Sequence, residues 1–178
     1  MEPIDQYSNT ENEIFKLLDE LYHNPLRGWP DIIAQLKKVD RDSLVKTARI
    51  LLEDSNPEKR RQGIEALMAT DPEKNVSLIL PMLSDVDPEV RYLAMYYIKR
   101  PKELLKDKRI ISLVIKSLFE DPSPVVRIEA AEALGECTTS EEAKSALLWA
   151  RDHDFEYDDQ GYNVSYIAKI ALENFSSE

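Results

Sequence analysis

A seven-residue pattern that occurs three times in this chain of 178 residues is the feature that most constrains its fold. Each copy begins with Asp, has Asn, Asp or Ser followed by Pro at its centre, and ends with Arg. The copies are Asp54–Arg60, Asp85–Arg91 and Asp121–Arg127. Their arginines are separated by 31 and 36 residues, and intervals of this size are typical of stacked supersecondary repeats. The sequence therefore predicts a repeat architecture.

The residue types in the pattern predict the start of a helix. Asn56, Asp87 and Ser123 are types preferred at the N-cap, where a side-chain oxygen accepts a hydrogen bond from an unpaired backbone N–H. Each is followed by a proline, which suits the first helical position because the N–H that it lacks has no helical partner there. An apolar stretch precedes every copy, so each unit is predicted to be a helix, a tight turn and a second helix.

An altered fourth copy and a helical N-terminal segment complete the predicted organisation. Residues 159–165 keep the opening Asp but have Tyr162 in place of Pro and Ser165 in place of Arg. Terminal repeats are often atypical, because one of their faces meets water. Near the N-terminus, Thr10 and Glu13 have the spacing of a capping box, which predicts a helix that covers the open end of the stack.

The three copies resemble the HEAT repeat family, in particular the short repeats of phycobilin-lyase-like proteins. The resemblance covers residues 43–175 and implies an all-α fold, a right-handed α-solenoid of about four HEAT-like helical hairpins with an N-terminal helical cap. Within one domain, the predicted segments are a cap at 1–42 and units at 43–70, 71–100, 101–137 and 138–178.

The resemblance also implies a ladder of hydrogen bonds between the Asp and Arg side chains of successive units. Its role would be structural, since it would tie each helical hairpin to its neighbour. The matching positions are Asp54, Arg60, Asp85, Arg91, Asp121, Arg127 and Asp159.

A concave face lined by the second helix of each unit is the predicted binding surface. The partner-binding residues expected there are Arg61, Tyr92, Tyr96, Arg100, Ile128, Glu129, Glu132, Tyr166 and Ile170. Tyr and Arg are enriched at interface hot spots, and the carboxylates, including Glu136, are expected to select basic side chains. The alternative is that the tyrosines only complete the packing between repeats.

The net charge of −11 limits the classes of partner. Binding to nucleic-acid phosphates or to anionic membranes depends on Lys and Arg side chains, so we expect neither a nucleic acid nor a membrane as the partner. An acidic surface is compatible with steering toward a basic protein. The chain is expected to be a cytoplasmic monomer, since no signal peptide or apolar run long enough for a membrane span is present in the sequence.

Two possible chemical sites in the sequence do not fit the chemistry that they suggest. The carboxylates of residues 152–159 could bind a cation, but Tyr157 and Asn163 stand where an EF-hand loop needs Gly and Glu, so a solvated acidic loop is expected. Cys137 is expected to be a small apolar residue near a helix end rather than a nucleophile. Gly-rich phosphate loops and zinc spacings are not found in the sequence, and we expect no metal and no cofactor.

The predicted function is therefore a non-enzymatic scaffold or adaptor that binds a protein partner, possibly a basic one, in its groove. Two alternatives remain open. One is a tetrapyrrole-handling protein, either a lyase or a chaperone, as the resemblance to phycobilin lyases implies. The other is an immunity or inhibitor protein that masks a basic toxin. The DNA alkylation glycosylases, which also have HEAT-like chains, fit poorly because their groove should be strongly basic.

Overall fold

The computed structural model describes residues 8–23 and 29–176, and the helices in these ranges account for nearly all of the regular structure. Within them the only β interaction is an isolated bridge between Tyr157 and Asn163. The α-helices are α1 Asn9–His23, α2 Trp29–Leu36, α3 Arg41–Leu52, α4 Pro57–Met68, α5 Pro72–Ile79, α6 Pro88–Lys99, α7 Lys108–Glu120, α8 Pro124–Gly135, α9 Glu141–His153 and α10 Val164–Glu173. Short 3-10 turns follow α5 at Leu80–Ser84, precede α7 at Leu104–Lys106 and follow α10 at Asn174–Ser176.

The first of two compact units spans Met1–Leu78. In it α1 packs on α2, α3 and α4, and α3 pairs closely with α4. A glycine permits this close pairing, because a Cβ at Gly63 would lie 3.0 Å from Leu52 Cγ and 3.1 Å from the Ala48 carbonyl oxygen. The core contains side chains with no exposed surface at all, among them Ile14, Leu18 and Ile64.

Helix α1 begins two residues earlier than the sequence pattern predicts. The capping box is formed by Ser8 and Glu11 rather than by Thr10 and Glu13. The Ser8 N–H donates to Glu11 Oε2 at 2.7 Å, and the Glu11 N–H donates to Ser8 Oγ at 3.2 Å. Both pairs have the required spacing of three residues, so spacing alone could not choose between them. The remaining parts of the predicted cap, at 1–7 and 24–28, lie outside the described residues.

The second compact unit spans Ile79–Glu178 and has two layers of helices. Helices α6, α8 and α10 form one layer, in which α8 packs against both of the others. Helices α7 and α9 form the second layer, where each packs against the helix that follows it and against the other. Ala130, Ala133 and Leu134 of α8 are completely buried. At the contact of α8 with α10, a Cβ at Gly135 would lie only 2.9 Å from Ala171 Cβ, so the two helices touch closely.

The predicted helix starts are confirmed in all three copies of the pattern. Asn56 accepts from the Glu58 N–H at 2.9 Å, and Asp87 accepts from the Glu89 N–H at 3.0 Å. Ser123 also stands at the N-cap position, but its side chain makes no capping hydrogen bond. In each copy the proline is the first residue of the helix.

The opening Asp of each copy shapes the turn before the helix. Its Oδ1 accepts from the backbone N–H two residues later, at 2.8 Å for Asp54, 2.9 Å for Asp85 and 2.9 Å for Asp121. Asp side chains commonly form turns of this kind, in which they accept a hydrogen bond from the backbone two residues later. The pattern therefore encodes a complete turn as well as the helix that follows it.

The predicted repeat units correspond to pairs of consecutive helices. Units 43–70, 101–137 and 138–178 match α3 with α4, α7 with α8, and α9 with α10. Unit 71–100 matches α5, its 3-10 turn and α6, and the boundary between the two compact units falls at the end of α5. The interpretation of the whole chain as a single domain stays a prediction.

Candidate protein-binding face and its supporting arginines

The Arg of the second copy joins α6 to the turn before α8. Arg91 Nε donates to Asp121 Oδ2 at 2.7 Å and Nη2 donates to Asp121 Oδ1 at 2.8 Å, while Nη1 donates to the Asp85 carbonyl oxygen at 2.9 Å. Arg91 is 8% exposed and Asp121 is 9% exposed. The hydrogen bond to Asp121 raises the pKa of Arg91 more than burial lowers it. This part of the predicted ladder is present in the structure.

The last step of the ladder uses a different acid from the one predicted. Arg127 Nε donates to Asp154 Oδ2 at 2.6 Å and Nη2 donates to Glu156 Oε2 at 3.0 Å, whereas Asp159 lies exposed in the following loop. The assignment of Asp159 to the ladder is therefore wrong. Burial by itself lowers the pKa of Arg127. The hydrogen bonds to Asp154 and Glu156 have the opposite and larger combined effect, so the pKa is raised.

An insertion in the last unit explains this error. In the three regular copies the Arg follows the Asp by six residues, but Ser165, which stands at the Arg position, follows Asp154 by eleven. The Arg side chain of a regular copy donates to the carbonyl oxygen of its own Asp, as Arg127 does to Asp121 at 2.8 Å. In the last unit the Ser165 backbone N–H takes this role and donates to the Asp154 carbonyl oxygen at 2.8 Å.

Arg60 has the same local geometry in the first compact unit. Its Nη1 donates to the carbonyl oxygens of Asp54 at 2.9 Å and Ser55 at 3.0 Å. Arg61, a predicted partner-binding residue, follows it in α4 and is half-buried. The other predicted binding residues all belong to the second compact unit.

Two tyrosines of α6 form a pair of neighbouring rings within the predicted binding face. The rings of Tyr92 and Tyr96 are nearly parallel, with centroids 6.4 Å apart and an interplanar angle of 20°. The guanidinium carbon of Arg100 lies 5.1 Å from the centre of the Tyr96 ring, which is a cation–π distance. Both tyrosines are half-buried, and burial is the main cause that raises the pKa of Tyr92.

A lysine at the end of α6 forms ion pairs with two predicted binding carboxylates of α8. Lys99 Nζ lies 2.6 Å from Glu129 Oε1 and 2.5 Å from Glu132 Oε2. Burial lowers the pKa of Lys99, but its bonds to the two carboxylates outweigh this effect and raise it. Glu136 is paired in the same way with Lys102 at 2.7 Å. These carboxylates are therefore matched inside the chain, contrary to the expectation that they are free to select basic side chains.

Two predicted binding residues of α8 are not accessible. Ile128 is 8% exposed and Glu129 is 6% exposed, so the expectation that both point away from the core is wrong. The reason is that α8 has helices on both sides, α6 and α10, which leaves only a narrow strip of its surface uncovered. Glu132 lies on that strip and is exposed. Burial raises the pKa of Glu129, although the bond from Lys99 opposes the rise.

The terminal helix exposes the predicted residues that it contributes. Tyr166 is 57% exposed and Ile170 is 42% exposed. In α8 the positions that correspond to Lys169 and Glu173 are Ala131 and Gly135, both buried beneath the next helix. Charged residues at these positions give α10 the polar outer face of a terminal repeat.

The residues between α9 and α10 form a feature that the sequence analysis missed as a surface. We call residues 154–163 the aromatic arm. Phe155, Tyr157 and Tyr162 in this arm are 63%, 65% and 52% exposed. Two sequence signals could have revealed this surface. The last turn is longer than the regular turns, and its aromatic residues do not follow the spacing of a buried helix face.

Cys137 lies in the floor of a pocket of about 440 Å³ between the 3-10 turn before α7 and the turn before α9. Its thiol is 3.7 Å from the Leu105 carbonyl oxygen, and the residue is 4% exposed. Burial raises its pKa to about 11. A thiol in this state is protonated near neutral pH and is a poor nucleophile.

The described residues also bear on metal binding and on membrane insertion. Residues 8–23 and 29–176 contain no group of three or more His, Cys, Asp or Glu side chains arranged to hold a metal ion. In the same ranges, no helix has the length and apolar character that a membrane crossing demands.

The packing of the helices defines the class of protein to which this chain belongs. Hairpins stacked in two layers and joined by buried Asp–Arg pairs are the structure of a helical repeat protein. Residues 76–160 match the family model of HEAT repeats, so this stretch carries HEAT repeats, as the sequence pattern predicted. A search of curated proteins found no match.

The solved structures support the same fold. One similar structure is the crystal structure of an engineered protein from the Northeast Structural Genomics Consortium. It has a TM-score of 0.56 and 19% sequence identity, over 93% of this chain and 80% of the other. At this level of identity the likeness concerns fold alone. It supports an all-α structure of α-solenoid type.

Proposed function

We propose that this chain is a protein-binding scaffold whose partner contacts the exposed surface of α6, α8 and α10. The observation that carries the proposal is the Tyr92–Tyr96 pair with Arg100 against it. Rigid tyrosines with an adjacent arginine on an ordered helix match the composition of interface hot spots, where little side-chain entropy is lost on binding. We propose that Glu132, Tyr166 and Ile170 extend this surface.

The ion pairs of Glu129 and Glu132 with Lys99 change the kind of partner that we expect at this face. Because Lys99 is already ion-paired with both Glu129 and Glu132, a basic side chain of a partner would have to compete with it for these carboxylates. We therefore propose that aromatic and apolar contacts supply most of the affinity, as is usual at the centre of an interface.

The proposal assigns no catalysis to the chain, and it places the chain in the cytoplasm as a monomer. Burial raises the pKa of Cys137, so we do not assign this thiol a role as a nucleophile. Light scattering coupled to size-exclusion chromatography tests the monomer. Mixing the protein with a bilin tests the lyase alternative, and a lasting shift of the bilin absorbance would argue for that alternative.

Affinity capture with matched variants tests the binding face. The tagged chain is compared with a Tyr92→Ala/Tyr96→Ala variant and with Leu113→Ala, which removes a partly exposed apolar side chain from α7 in the other layer. We expect a protein captured by the parent chain to be lost with the tyrosine variant and retained with Leu113→Ala. Equal capture by all three chains, with unchanged thermal stability, would contradict the proposal.

A further inference from the structure

The aromatic arm is longer than the packing of its helices requires. In three turns of this chain the Arg follows the Asp by six residues, and each turn leads directly into a helix that begins at a proline. The turn between α9 and α10 uses five more residues, yet Asp154 is the only residue of the arm that is buried. Long connections that bury little are commonly functional.

Hydrogen bonds keep the arm ordered although it buries so little. The Asp158 N–H donates to the Tyr162 carbonyl oxygen at 2.9 Å, and the Val164 N–H donates to the Glu156 carbonyl oxygen at 3.1 Å. Gly161 closes the turn with a φ of 84°, a left-handed conformation that favours glycine. The arm is therefore a built hairpin, and its exposed side chains are displayed on a fixed backbone.

Alternation along the first, extended segment of the arm decides to which side its aromatic side chains point. In an extended segment, successive side chains point to opposite sides. Asp154 and Glu156 both bind Arg127, so they share one side of the strand. Phe155 and Tyr157 consequently point to the other side, where they are 63% and 65% exposed.

The charge of the arm indicates which partner would cover these rings. No Lys or Arg occurs between Asp152 and Ala168, a stretch that has five carboxylates. Asp152, Asp154 and Glu156 are matched by Arg151 and Arg127. Asp158 and Asp159 form no ion pair with any Lys or Arg of the described residues. Asp158 Oδ1 accepts from the Gln160 and Tyr162 N–H groups at 3.0 and 2.7 Å, whereas Asp159 is exposed, so the negative charge of this pair is not balanced by a cation beside the aromatic rings.

We infer that the aromatic arm docks an arginine- or lysine-bearing segment of a protein partner. The cationic side chains lie on the faces of Phe155 and Tyr157, which attract cations through their π systems. Asp158 and Asp159 supply the opposing charge. This surface does not include the Tyr92–Tyr96 pair. Binding of a basic segment to the arm is therefore a second interaction, independent of the proposed binding face.

A peptide titration tests the inference on the full-length chain. The probe is a short fluorescent peptide in which arginine alternates with glycine and serine, followed by fluorescence anisotropy. The decisive variant is Phe155→Ser/Tyr157→Ser, which removes the rings without changing the net charge. We expect it to weaken binding by about tenfold, the sum of two exposed cation–π contacts. Val86→Ser, at an apolar residue that is 91% exposed in another turn, should bind like the parent chain.

A deletion of residues 157–161 provides the second variant. It leaves Asp154 and Ser165 six residues apart, as in the regular copies, so α9 and α10 keep a connection of the length used elsewhere in the chain. We expect this variant to fold with parental helix content and to lose peptide binding.

Two outcomes would overturn the inference. The first is that the parent chain does not bind the peptide at low salt. The second is equal affinity for the parent and for Phe155→Ser/Tyr157→Ser, because binding would then reflect the net charge of −11 and not the arm. A result from Tyr92→Ala/Tyr96→Ala does not affect this test, so the two proposals can fail independently.

Discussion

Arg91 and Asp121 form a buried, two-pronged ion pair that ties α6 to the turn that starts α8, with N–O distances of 2.7 and 2.8 Å. A third bond, from Arg91 Nη1 to the Asp85 carbonyl oxygen, holds the guanidinium in place. The same side chain thus closes its own turn and joins the next hairpin. Planar guanidinium is suited to this double task because its donors are fixed in a fork.

Breaking this pair on one side should be costly. We expect Asp121→Ala to lower the free energy of unfolding by about 3 kcal/mol, because Arg91 is then left buried without its carboxylate. Urea denaturation measures the change. Glu120→Ala is the control, since it removes an exposed pair with Lys116 that should be worth at most about 1 kcal/mol. Similar losses in the two variants would contradict the structural role of Asp121.

The corrected end of the ladder gives a direct comparison of two aspartates. Asp154→Ala should destabilise the chain by about 3 kcal/mol, since it leaves Arg127 buried with only Glu156 beside it. Asp159→Ala should change stability by less than about 0.5 kcal/mol, as is usual for an exposed surface residue. Thermal or urea unfolding of both variants decides between them. The reverse order would restore the assignment made from sequence.

The contact between α8 and α10 depends on a missing side chain. A Cβ at position 135 would lie 2.9 Å from Ala171 Cβ, so we expect Gly135→Ala to destabilise the chain by about 1–3 kcal/mol, the usual cost of overpacking. Chemical denaturation measures this cost. In the variant Gly135→Ala/Ala171→Gly, part of the lost stability should return because the clash is relieved. If Gly135→Ala is neutral or stabilising, the two helices are not packed this closely.

Acid should weaken the first compact unit through Glu11. The N–H and hydroxyl groups of Ser8 and the ammonium of Lys46 lower the pKa of this carboxyl from 4.5 to about 2. A lowered pKa in the folded state means that the contribution to stability is complete above pH 4.5 and is lost as the pH falls toward 2.

Melting temperatures across this pH range test the effect. The parent chain should lose more stability between neutral pH and pH 2 to 3 than Glu11→Gln, whose side chain does not titrate. Glu13→Gln, at an exposed position of the same helix, should follow the parent profile. Parallel profiles for the parent chain and Glu11→Gln would show that Glu11 is not held by these bonds.

The sequence by itself determined the repeats and the places where their helices begin. Asn56, Asp87 and the three prolines act within a few residues of one another, because capping and the fixed φ of proline are local effects. The pairing of Arg91 with Asp121 was also predictable, since both residues occupy regular positions of the repeat. The exposure of Tyr166 and Ile170 followed in the same way.

Only the tertiary structure decided the features that depend on distant neighbours. Arg127 pairs with Asp154 and not with Asp159, because a hairpin of inserted residues changes the register of the last turn. Ile128 and Glu129 are buried because α6 and α10 flank α8 on both sides, whereas the helical periodicity of α8 alone cannot show how many neighbours it has. Contacts between segments far apart in the chain decide which side chains are exposed. The same contacts decide which charged side chains are already paired within the chain.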